Sequence, residues 1–225
     1  MKNLIYILTF IITTTAIAQT SNTIALEKQK LKQALAYGDK VVAASSMYNL
    51  ISMEGPHSTY KDSLAYLYFN GRNYISCFLV TNDILKTNPE KLELLEMSAV
   101  SLESMGAIAK ASEVYATLLS KTTNNYHAYK LAGLQLAQNK FEEAYVSIKN
   151  ADQLSDAGTV TVTFQVNKNY NQNVNLKAAI AYLEGIIALN LKKDNEAKIS
   201  FNRAVQLFPE FVLAKGKLES LTTKE

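Results

Sequence analysis

Two periods of apolar and polar positions alternate along the chain. Over most of its length apolar residues return every three or four positions, which predicts amphipathic helices. One stretch breaks the pattern. From Thr159 to Asn175 it reads TVTVTFQVNKNYNQNVN, with Val160, Val162, Phe164 and Val166 apolar and Thr161, Thr163 and Gln165 polar between them. That alternation is the signature of a half-buried strand. The Asn-rich remainder predicts a turn and a second short strand through Val174 and Leu176.

The helical part repeats itself. Gly38, Ala43, Met47, Leu50 and Pro56 form a pattern that returns as Gly71, Tyr74, Cys77, Ile84 and Pro89. It returns again around Gly106, Ile108, Ala111, Tyr115 and Leu118, around Phe141, Ala144, Ile148 and Ala151, and around Ala197, Phe201, Ala204 and Pro209. With the small residue as the ruler, Ala43, Cys77, Ala111 and Ala144 are spaced by 34, 34 and 33 positions, and Ala197 follows after 53. A 34-residue helix-turn-helix unit, once enlarged by an insertion of 19 residues, accounts for the series. Small residues let paired helices approach, larger ones fill the groove, and stacked pairs build one continuous core.

On these residues the chain resembles the tetratricopeptide repeat family. The second repeat carries Ala65, Tyr68, Gly71, Tyr74, Cys77, Ile84 and Pro89 of the family pattern, and the fifth carries Gly185, Ala188, Ala197, Phe201, Ala204 and Pro209. The family's early Trp is missing throughout, and its Pro is missing from repeats three and four. The resemblance implies an all-α, right-handed solenoid. Its repeats fall near 24–57, 58–91, 92–124, 125–158 and 178–211, with a β-like insertion over 159–177. The final helix, 212–222, caps the array, with Phe211, Leu213, Ala214, Leu218 and Leu221 toward one side.

The resemblance also implies that each repeat's first helix lines a concave groove. Its positions map to Tyr66 and Phe69, to Glu93, Glu96 and Glu103, to Tyr126 and Tyr129, and to Tyr182 and Leu189. Aromatic anchors with an acidic middle suit a peptide or protein partner. Any one of these tyrosines equally suits packing between repeats. The carboxylate clamp of the family's cytosolic chaperone-tail readers maps to Lys28, Lys32, Asp62, Tyr66, Glu96 and Val100 and is largely absent. The insertion offers a second interaction element through Val160, Val162, Phe164 and Val166, since an apolar edge strand recruits another strand. The alternatives are a hairpin packed on its own repeats, a loose loop, or self-association between copies.

The N-terminus adds a location. Lys2, the apolar run Leu4–Ile12 and Ala16-Ile17-Ala18 before Gln19 have the layout of a secretory signal peptide over residues 1–18. The run is too short for a comfortable span, which needs ~20 residues, and an uncleaved N-terminal anchor is the alternative to a cleaved signal peptide. The mature chain is expected in a bacterial periplasm, at the outer membrane or secreted, without a membrane span. Nothing in the charge opposes this. The net charge is +3, and the densest basic piece, Lys28, Lys30 and Lys32, is no nucleic-acid footprint. One cysteine, Cys77, excludes an internal disulfide.

Chemistry is sparse. His57 and His127 lie 70 positions apart, with no Cys, His or Asp cluster beside either. No phosphate loop, nucleophile elbow or zinc-helix motif occurs. Cys77 takes the small packing position. The reading is a non-enzymatic interaction module without cofactor or metal.

Overall fold

The computed structural model describes residues 22–154 and 158–223, so the signal segment read above lies outside the described residues. The described chain is helical apart from one β-hairpin. It divides into two compact units, one ending at Met97 and the other beginning at Ser98.

The first unit holds α1 (residues 22–36), α2 (Lys40–Glu54), α3 (Tyr60–Asn70), α4 (Tyr74–Leu85) and the start of α5 (Leu92–Ser104). Ala34, Ala43, Met47 and Leu50 form one buried cluster with Leu64. Ala65, Cys77, Ile84, Leu94 and Met97 form the next.

The second unit holds the end of α5, α6 (Ile108–Thr122), α7 (Asn125–Ala137) and α8 (Phe141–Gln153). It continues through β1 (Thr161–Asn167), β2 (Tyr170–Asn175), α9 (Leu176–Asn190), α10 (Asp194–Leu207) and α11 (Val212–Thr222). Consecutive helices from α6 to α11 pack on one another. Phe211, which precedes α11, and Ala214 on its inner side are fully buried, and Leu218 and Leu221 pack against Ala188, Ala197 and Phe201.

The repeat shows in the backbone as plainly as in the side chains. Ala43, Cys77, Ala111, Ala144 and Ala197 are all completely buried. Between the two helices of each repeat one residue adopts a left-handed conformation: Gly38, Arg72, Gly106, Asn139 and Lys192, with φ between 56° and 74°. Next to each, one backbone bond closes the first helix, from Asp39 N–H to Ala34, Asn73 to Tyr68, Ala107 to Leu102, Lys140 to Gln135 and Lys193 to Ala188. These bonds are 2.8–2.9 Å long and have the form of a Schellman closure. In the second repeat the left-handed residue is Arg72, not the neighbouring Gly71.

The insertion is an ordered antiparallel hairpin. Val162 lies opposite Val174 and Phe164 opposite Gln172, with a bulge between Gln165 and Asn167. Asn167 closes the turn by accepting from Asn169 N–H at 2.9 Å. The second strand ends one residue before the sequence reading placed it. Asn175 accepts from Ala178 N–H at 2.9 Å and so caps α9, which makes Leu176 the first helical residue.

The hairpin's inner face is docked on its own unit. Val174 is fully buried with Ala178, Ala181, Ala204, Phe211 and Ala214, and Phe164 packs against that cluster. Val160 and Val162 pack against the cluster of Ala128, Ala132, Ile148, Leu176 and Ile180. Gln172, on the same face, donates to the Glu210 carbonyl at 2.6 Å and accepts from Val212 N–H at 3.1 Å. Between a hairpin packed on its own repeats and a loose loop, the packed hairpin is the one present.

Candidate functional site

In the first unit the groove positions Tyr66 and Phe69 stand on α3. The Tyr66 ring is 39% exposed, and its hydroxyl donates to the Glu93 carboxylate on α5. That bond, helped by burial and by the charges of Glu93 and Asp62, pushes the phenol above its ordinary range. Beside Tyr66 an open cavity of about 510 Å³ is lined by Asp62, Glu90, Lys91, Leu92, Glu93 and Leu94. Lys91 pairs with Asp62 across it. Phe69 is half-buried and meets Tyr74 edge-on, with ring centres 6.3 Å apart. Glu96 is half-buried one turn beyond Glu93.

A smaller cavity of about 280 Å³ lies by the α2–α3 and α4–α5 connections, lined by His57, Lys61, Asp83, Thr87, Asn88 and Lys91. Lys61 and Asp83 pair there at 2.6 Å, and the lysine's hydrogen bond holds the Asp83 carboxyl below its usual range. Lys91 pairs with Asp62 in the same lining, and the Ser58 hydroxyl donates to Glu54 at 2.8 Å.

In the second unit Tyr126 and Tyr129 stand on α7 and are half-buried. Burial drives the Tyr129 phenol well above its ordinary range, with the Tyr126 and Tyr182 phenols and the Glu103 carboxylate adding to the effect. Glu103 accepts from Lys130 at 2.5 Å. Tyr182 on α9 has another occupation. Its ring lies 5.4 Å from Phe164, 5.6 Å from Phe201 and 4.9 Å from Phe211, so it is one wall of the socket that holds the hairpin. Val160, Val162, Phe164 and Val166 share the hairpin's half-buried face. Their backbone neighbours Thr161, Thr163 and Gln165 are exposed.

The remaining candidates are structural. Cys77 is fully buried. His127 is buried, its Nδ1 lies 2.8 Å from the Thr122 hydroxyl, and its ring lies 6.2 Å from those of Tyr115 and Tyr126. Among the described residues no three His, Cys, Asp or Glu side chains are grouped to hold a metal ion. No described helix is long and apolar enough to cross a membrane.

Sequence reasoning missed one ionic network. Glu184, only 4% exposed, is held by Lys149 at 2.8 Å and by Arg203 at 2.7 Å, and Arg203 also holds Asp152 at 2.6 Å. The signal was a single carboxylate inside the apolar run LEGIIALN of α9. Removing such a buried partner strands the opposite charge, so the network ties α8, α9 and α10 together.

No family model matches the chain, and no curated protein matches it. Solved structures do. The chain is similar to YrrB, a TPR protein described as having an unusual peptide-binding site, with a TM-score of 0.67 and 13% identity over 90% of this chain and 95% of that one. It is similar to MamA, with a TM-score of 0.60 and 14% identity over 73% of this chain and 80% of that one. It is also similar to MamA from Desulfovibrio magneticus RS-1, with a TM-score of 0.61 and 12% identity over 84% and 97%. At such identities the likeness bears on the backbone, and it agrees with the recurring turn and ruler residues: the chain has the all-α tetratricopeptide repeat fold.

Proposed function

We propose that this chain is an exported, non-enzymatic protein-interaction module, working in envelope assembly or secretion, that takes an extended peptide of its partner at Tyr66. The observation that carries the reading is the open cavity in which the exposed Tyr66 ring stands, positioned by its bond to Glu93. A held aromatic side chain loses little entropy on contact, and such residues dominate binding energy at protein interfaces. Asp62, Glu90 and Glu93 against Lys91 give the lining a negative balance, which favours a peptide carrying Lys or Arg. The fold supports the same reading, since YrrB is described as a TPR protein with a peptide-binding site. Tyr126 and Tyr129 are the second candidate surface.

The test is selection of peptides from a displayed random library against the full chain, followed by titration of the selected peptide. Tyr66→Ala is expected to weaken binding about tenfold, the equivalent of about 1.4 kcal/mol. Glu93→Gln is expected to weaken basic peptides more than neutral ones. Peptides that bind both variants as well as the parent would remove this site, and failure to select any peptide would remove the reading.

A further inference from the structure

The hairpin has an edge to spare. Leu176 N–H donates to the Val160 carbonyl at 3.1 Å, in line with the register that sets Thr161 opposite Asn175. In an antiparallel ladder the hydrogen-bonded pairs recur every second residue. The pairs Val162/Val174 and Phe164/Gln172 are therefore the hydrogen-bonded ones, and their N–H and C=O groups point into the hairpin. Thr161, Thr163 and Gln165 point theirs the other way, to the outer edge of β1. The 2.7 Å contact between the Thr163 and Asn173 side chains agrees, because side chains approach more closely in the pairs without backbone bonds. Among the described residues no backbone hydrogen bond from another element reaches Thr161, Thr163 or Gln165. All three are exposed.

Natural edge strands are blunted by charge, proline or brevity. This one spans seven residues and has neither a charged residue nor a proline. It is rich in Thr, Val and Phe, which suit strands, whereas β2 exposes Asn171 and Asn173, poor strand formers whose side chains compete for the same backbone groups.

We propose that β1 pairs antiparallel with β1 of a second copy of this chain, about a two-fold axis at Thr163. The choice of partner rests on complementarity. With Thr163 opposite Thr163 of the copy, Thr161 meets Gln165, Val162 meets Phe164 and Val160 meets Val166. Every apolar position meets an apolar one on the inner face, every polar position meets a polar one on the outer face, and no like charges are brought together. The outward N–H and C=O groups of Thr161, Thr163 and Gln165 then satisfy one another across the axis. The pairing is independent of the Tyr66 site, and either can fail without the other.

The experiment is sedimentation velocity on the full chain over a range of concentrations, with three substitutions. The parent is expected to shift from monomer mass toward twice that mass as concentration rises. Thr163→Pro removes an outward N–H without touching the hairpin's own ladder and is expected to abolish the shift, since edge positions accept proline. Thr163→Ala is expected to retain it. Thr163→Cys is expected to form a covalent dimer under mild oxidation, because facing hydrogen-bonded residues sit about 5.5 Å apart, inside the disulfide range. Thr161→Cys is not, since its copy lies four positions away, about 13 Å. Native Cys77 is buried and does not compete. A parent that stays monomeric, a dimer that survives Thr163→Pro while circular dichroism stays unchanged, or equal cross-linking at both cysteines would overturn the proposal.

Discussion

Two glycine questions in the repeat have opposite answers at single residues. Gly185 faces Phe201 so closely that a methyl group there would lie 2.6–2.8 Å from three ring atoms. Phe201 is fully buried and cannot swing aside. Gly185→Ala is therefore expected to destabilise the chain by about 1–3 kcal/mol through overpacking, despite alanine's better helix propensity. Lys192 presents the reverse case. It holds a left-handed φ of 61° in the turn before α10, in the place that glycine fills in the first and third repeats. A side chain in that region costs about 1 kcal/mol, so Lys192→Gly is expected to stabilise by roughly 0.5–1 kcal/mol after glycine's own entropy is counted. Urea titration of both variants beside the parent checks the pair. Loss of stability at Lys192 or gain at Gly185 would contradict the packing described.

At the scale of elements, the hairpin shows what the sequence tells and where it stops. β1 was legible because Val160 to Val166 alternate cleanly with polar residues, and that face is the one that packs. β2 was only half legible, because its inner face is held by Gln172 rather than by an apolar side chain. Nothing local distinguishes Gln172 from the five asparagines beside it in YNQNVN and NKN. Its role comes from the start of α11, some 40 positions away, where it satisfies the Glu210 carbonyl and the Val212 N–H. Gln172→Ala is expected to leave those two backbone groups without their partner. The cost is about 1–3 kcal/mol for each that stays dry, and loss of the bulk of the hairpin's protection against amide exchange should accompany it. Hydrogen exchange by mass spectrometry resolves this, because α7 and α8 should keep their protection while Tyr170 to Val174 lose theirs. Uniform loss across the unit would mean that the hairpin belongs to the global core instead.

For the whole molecule, the repeat was readable from the chain because its ruler residues have one steric task, and Ala43, Cys77, Ala111, Ala144 and Ala197 all perform it at zero exposure. The groove was less readable because a tyrosine can do two things. Tyr66 stands in an open cavity, whereas Tyr182 spends its ring on Phe164, Phe201 and Phe211, and the two look alike in sequence. The N-terminus bears on a different property, the compartment in which these surfaces would meet a partner. Lys2, the apolar run Leu4–Ile12 and the Ala16-x-Ala18 site together predict export with cleavage before Gln19. Folding in an oxidising compartment would place no demand on this chain, whose lone thiol is sealed inside the second repeat. Expression of the full gene in a Gram-negative host, with osmotic release of the periplasm and intact mass measurement of the product, is expected to yield a soluble species beginning at Gln19. Changing Ala18→Leu should block processing and hold the chain at the inner membrane, since a bulky residue does not fit the cleavage site. A product that keeps Met1 and stays in the cytosol would place the groove among cytosolic partners and remove the envelope from its proposed role.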